Sequence, residues 1–84
     1  MNEQRNELRM PATAAARIMF NGGGYECVAR DISLTGARLQ VTIPTAIIPD
    51  QIEFLLKNDG ITHPARVVWK LTSQIGIKFA DSTG

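Results

Sequence analysis

Two short stretches carry residue types and spacings that suit recognition chemistry: RNELR, residues 5–9, and DISLTG, residues 31–36. The first sets Arg5 and Arg9 four residues apart; the second sets Asp31, Ser33 and Gly36 at the entrance to an alternating segment. A guanidinium is a planar, permanently charged fork that pairs bidentately with a phosphate or a guanine edge, where a lysine offers a point charge. Arg5, Arg9, Arg17, Arg30 and Arg38 lie in the first half of the chain, and all three lysines lie in the second. A plainer reading stays open for each residue. Arginines solvate strand faces, Asp and Ser bond their own backbone in Asx and ST turns, and glycine serves in many turns.

Composition removes several classes of function. A net charge of +1 over 84 residues gives no general signal for a polyanion or a membrane surface. With one cysteine, Cys27, and one histidine, His63, neither a disulfide nor a thiolate or His-based metal site is supplied. Those two residues fall in different segments, and Asp31 has no evident acid partner, so the chain is expected not to be an enzyme. Cys27 sits mid-strand in YECVA as a small buried hydrophobe, and His63, before Pro64, is structural or solvated. No apolar leader and no run of 18 apolar residues is present, so a cytoplasmic, soluble protein without membrane insertion is expected.

The elements that must position these residues are short strands. Residues 1–10 are polar and form an expected flexible arm, and 11–84 form the folded domain. Strand patterns are predicted at 13–20, 25–31, 36–42, 51–57, 61–71 and 74–80. The NGGG turn at 21–24 joins the first two; no helix follows it, so it is not a phosphate loop. Alternation places Ala37, Leu39 and Val41 inward, likewise Ile52, Phe54 and Leu56, and Ile75, Ile77 and Phe79. The same phase puts Trp69 with Ala65, Val67 and Leu71 in the core, rather than on the surface as a stacking partner. Residues 43–49, bracketed by Pro44 and Pro49, are expected to cross an open end of the sheet. Six strands in a domain this small predict an all-β fold, an antiparallel barrel whose closure removes exposed edges.

RxxxR, then DxSxxG, then RVVW at 66–69 and IGIKF at 75–79 together resemble the PilZ domain family, and the resemblance spans Arg5 to Phe79. It implies a six-stranded antiparallel β-barrel with a flexible N-terminal arm, binding the bacterial second messenger cyclic di-GMP. Carried over position by position, Arg5 and Arg9 clamp the ligand, and Asp31, Ser33 and Gly36 shape the guanine pocket. A carboxylate suits guanine N1–H and its 2-amino group. Arg30 and Arg38, flanking the motif, are possible additional contacts to a phosphate. No catalytic residue, metal or cofactor is expected. Ordering of the arm on binding would signal to a downstream protein, the receptor being a monomer or weak dimer. Two other readings are kept: a nucleotide-independent protein–protein adaptor of the same fold, and a small-barrel nucleic-acid binder. The second is poorly served by five aromatics at mostly inward positions. Whether one nucleotide binds or two, and which process is regulated, these residues leave open.

Overall fold

The computed structural model describes residues 13–58 and 60–80. They form six antiparallel strands: β1 (Ala14–Phe20), β2 (Gly23–Ile32), β3 (Gly36–Val41), β4 (Gln51–Leu56), β5 (Ile61–Lys70) and β6 (Gln74–Phe79). The strand order β1-β2-β3-β6-β5-β4 returns β4 to β1 and closes the barrel. All six predicted strands are present, and the fold class is as expected.

The first hairpin follows from an Asn-Gly pair. Asn21 and Gly22 adopt φ of 51° and 81°, the left-handed conformation that two-residue hairpin turns need. Gly23 and Gly24 therefore belong to β2, opposite Phe20 and Met19, so the strand starts two residues before the predicted Tyr25. Tyr25 stacks on Phe20 with ring centres 4.8 Å apart, and its ring lies over Gly23.

Period-two alternation fills the interior. Ala16 and Ile18, Cys27 and Ala29, Leu39 and Val41, Ile52 and Phe54, Ala65 and Val67, Ile75 and Ile77 supply the buried residues of successive strands. Leu56, Ala37 and Phe79 pack at the margin. The 43–50 connection does cross one end of the barrel, through a short 3-10 turn at Thr45–Ile47. It contributes Ile48, 1% exposed, to the core. It is held there by Val67 N–H donating to the Asp50 carbonyl (2.7 Å), Lys70 Nζ to the Ile48 carbonyl (2.5 Å) and Thr45 Oγ1 to the Leu71 carbonyl (2.7 Å). That strap covers one end of the barrel, as the bracketing prolines led one to expect.

Two strands depart from regular alternation. In β2 the register with β3 shifts between Ala29 and Asp31, and in β5 the register with β6 shifts between Val67 and Trp69. Each is a β-bulge, in which one added residue reverses the phase of everything beyond it. The expectation that Trp69 and Leu71 face the core is corrected on this ground. Trp69 is 40% exposed and Leu71 60% exposed, the latter beyond the end of β5. Among the described residues, no helix is long and apolar enough to cross a membrane.

Candidate functional site

The two bulges converge on one place. Without the bulge at Arg30, Asp31 would share the inward phase of Cys27 and Ala29. With it, Asp31 turns outward and pairs with Arg38 on β3. Without the bulge at Val68, Trp69 would share the inward phase of Val67; instead it turns outward and pairs with Gly76 on β6. Arg38 and Gly76 are themselves register partners. Asp31, Arg38, Gly76 and Trp69 thus form one continuous outward row across β2, β3, β6 and β5. Bulges commonly re-aim side chains in this way beside functional sites.

Along that row an acid, a base and an aromatic face adjoin. Arg38 donates to Asp31 Oδ2 from both Nε (2.7 Å) and Nη2 (2.6 Å). The carboxylate side chain is 20% exposed and the guanidinium side chain 41% exposed. The Trp69 indole lies on Gly76, where an added Cβ would come within 3.0 Å of Cδ1, Cε2 and Nε1. Any side chain at residue 76 would lift the ring off the sheet.

The β2–β3 corner is built from its own polar atoms. Ser33 N–H donates to the Gly36 carbonyl (2.8 Å), and Ser33 Oγ accepts from the backbone N–H of Thr35 (3.3 Å) and Gly36 (3.2 Å). The Ser33 hydroxyl lies 3.3 Å from the Gly36 carbonyl, to which it donates. These are the bonds of a local ST turn. The Thr35 carbonyl accepts from Phe79 N–H (2.7 Å), fastening the corner to β6. Gly36 is not in the left-handed region. Its absent Cβ instead lets β3 approach β6, for an added Cβ would fall well under 3.0 Å from the Ile77 carbonyl oxygen and 3.3 Å from Lys78 Cα.

These residues border an open depression of about 420 Å³, lined by Asp31, Ser33, Gly36, Arg38, Trp69 and Lys78 among others. Asp31, Ser33, Gly36 and Arg38 are therefore brought together. Arg30 is not: as the bulge residue it faces solvent and reaches Gln40 Oε1 at 3.3 Å. Arg5 and Arg9 lie outside the described residues. Trp69 and Lys78 line the depression although neither was predicted there. Lys78 was within reach of the alternation, since Ile77 and Phe79 point inward; a bulge left no such trace for Trp69. A second, larger depression of about 870 Å³ lies between the β1–β2 hairpin and strands β4 and β5 and includes none of the predicted residues.

The remaining titratable groups have structural surroundings. Burial pushes the Cys27 thiol up to about 12, with the Glu26 charge adding to the effect, so it is no nucleophile at neutral pH. Glu26 is held below the usual carboxylate range by hydrogen bonds from Lys57 and Arg17. His63 is half-buried, its ring centre 5.5 Å from that of Phe79. Among the described residues, no group of three or more His, Cys, Asp or Glu is placed to hold a metal ion.

Comparison with known proteins agrees with this architecture. The barrel superimposes on the PilZ domain of CeSA from a cellulose-synthesizing bacterium with a TM-score of 0.65 and 19% identity, over 86% of this chain and 79% of that one. It superimposes on the PlzA protein of Borreliella burgdorferi, solved in complex with c-di-GMP, with a TM-score of 0.63 and 22% identity. That match takes in 96% of this chain but 31% of PlzA. At these identities the likeness is one of fold. No curated protein matches the chain in sequence. The PilZ domain family profile matches residues 3–84, and the chain belongs to that family.

Proposed function

We propose that this protein is a bacterial, cytoplasmic receptor for cyclic di-GMP that binds the nucleotide without turning it over. The observation that carries the reading is the outward row Asp31–Arg38–Gly76–Trp69, delivered by two bulges to the edge of the DxSxxG corner. A guanine laid on the Trp69 face gains stacking. Its N1–H and 2-amino group donate to the Asp31 carboxylate. Arg38, already hydrogen-bonded to Asp31 Oδ2, keeps that carboxylate in place and offers its remaining N–H groups to a phosphate. The neighbouring PlzA structure, solved with c-di-GMP, supports the ligand.

The arm is the second half of the site in this reading. Ala14, the first residue of β1, pairs with Ala29, two residues from Asp31. Arg9 is four residues before Thr13, so its backbone stays within about 14 Å of that point. Arg5 and Arg9 clamp the ligand from there, and residues 1–10 order over the depression, presenting a new surface to a protein partner. The ordering entropy has to be exceeded by charge-assisted hydrogen bonds.

A second reading has its own observation. Within the described residues the corner is self-satisfied, with Ser33 Oγ engaged by backbone and Asp31 by Arg38, while Leu34, Val68 and Trp69 expose apolar surface nearby. That arrangement suits a nucleotide-independent adaptor. Isothermal titration of wild type with cyclic di-GMP, beside Arg9→Ala, Asp31→Ala and a GTP control, separates the two. Saturable binding to wild type, selective over GTP and lost in both variants, supports the receptor. Absence of heat at saturating ligand moves the protein to the adaptor class.

A further inference from the structure

On the outer face next to the Asp31–Trp69 row runs a second row: Gly36 (β3), Lys78 (β6), Arg66 (β5) and Gln51 (β4), each the register partner of the next. Its two central members carry like charge directly opposite one another. Such pairs are unfavourable on a sheet, because the side chains sit about 5 Å apart at Cβ. Both are exposed, and neither has an ion-pair partner among the described residues. Glu53 and Asp50, the nearest acids in register, make no ion pair with them. Elsewhere among the described strands Arg17 and Lys57 pair with Glu26 and Arg38 with Asp31, while Arg30 and Lys70 hydrogen-bond to Gln40 Oε1 and the Ile48 carbonyl. Among the described residues, the Arg66–Lys78 pair is thus an uncompensated doublet of positive charge.

Its position gives the doublet a ligand. Lys78 lines the depression that holds Asp31, Arg38 and Trp69, and Arg66 lines the larger one on the far side, so the pair forms the saddle between them. Lys78 lies two residues along β6 from Gly76, about 7 Å from the residue on which the indole rests. A base seated on Trp69 holds its attached phosphate within reach of an ammonium on a four-carbon stem.

We propose that Arg66 and Lys78 are a phosphate seat, the point at which the barrel itself holds a phosphodiester of the nucleotide bound at the Asp31 corner. The proposal rests on the receptor reading. It assigns the barrel a phosphate contact independent of the arm arginines. The seat selects phosphorylated guanine ligands over the bare nucleoside.

The test is titration of cyclic di-GMP into the full chain as wild type, Arg66→Met, Lys78→Met, the double variant and Lys78→Arg, each at low and high salt. Both positions are exposed, so folding is retained. Each Met variant weakens binding roughly twofold to fivefold at low salt. The double variant shows a shallower salt dependence than wild type, and Lys78→Arg binds like wild type. Weak binding of uncharged guanosine is unchanged throughout, a result a merely structural role would not give. A double variant that matches wild type in affinity and salt dependence overturns the seat. Should wild type bind no cyclic di-GMP, the receptor reading fails separately, and inorganic pyrophosphate becomes the probe. Amide shifts centred on residues 66 and 78 then uphold an anion seat. Their absence overturns it.

Discussion

Alanine at residue 36 separates two uses of the motif glycine. If Gly36 serves mainly to let a purine approach the backbone, Gly36→Ala lowers affinity and leaves the barrel intact. The geometry argues otherwise. Gly36 has no left-handed φ, so alanine incurs no dihedral penalty and gains about 0.4–1 kcal/mol by restricting the unfolded chain. Against that stands the overlap of its Cβ with the Ile77 carbonyl oxygen, followed by the Ile77 carbonyl carbon at 3.2 Å and Lys78 Cα at 3.3 Å. All three are backbone atoms of β6, so no rotamer change relieves the overlap and the strands must part. They part where Phe79 N–H donates to the Thr35 carbonyl at 2.7 Å. Overpacking of this kind costs about 1–3 kcal/mol, and a contact that only backbone can relieve belongs at the upper end. The net loss is about 2 kcal/mol, a fall in Tm on the order of 10 °C for a domain this size. Urea unfolding followed by circular dichroism measures the first quantity, and nucleotide titration below the transition measures the second. An unchanged urea midpoint combined with lost binding would refute the strand-approach argument and return Gly36 to the ligand.

Three further outcomes follow from the same geometry. Trp69→Ala removes a half-exposed ring, so stability changes little while the Kd for cyclic di-GMP rises roughly tenfold to a hundredfold by titration, the usual scale of base–aromatic stacking. Gly76→Ala pushes the indole off β6; as Trp69 is the chain's one tryptophan, its emission shifts to the red and acrylamide quenches it more readily. For Cys27, the folded thiol holds its proton to about pH 12 against an ordinary value of 9.0. The unfolded chain therefore releases that proton first, and the thiol's contribution to stability, complete below pH 9, falls as pH rises towards 12. Urea midpoints across that range, compared with Cys27→Ala, isolate the effect; equal slopes in both proteins would contradict it.

Much of the barrel is legible in the chain because one face of each strand is buried and the side-chain period is two. Leu39 and Val41, Ile52 and Phe54, Ile75 and Ile77 could hardly point elsewhere. The Asn21–Gly22 turn and the proline-bracketed strap carry equally local signals. Trp69 was misplaced because a bulge is a property of two strands at once. Nothing in RVVWKL announces that Val68 is surplus until β6 lies beside it. Asp31 depends on the same device, yet its motif drew attention to it regardless of phase. Gly36 and Gly76 stand out as small residues, but the atoms they make room for, the Ile77 carbonyl and the Trp69 indole, come from neighbouring strands. The pairing of Asp31 with Arg38 likewise belongs to register rather than to sequence distance.

In the receptor reading, closure of the strand ring limits how a message can leave this protein. With β4 bonded to β1, the described strands form a closed ring in which none is left wholly unpaired for another chain to extend the sheet. The interlocked core, strapped at one end by Ile48, gives the interior little freedom to relay a movement from one side to the other. The ring acts as a fixed mount. In the receptor reading, the difference between occupied and empty is written on its outer surface in side chains, where a partner would inspect it directly.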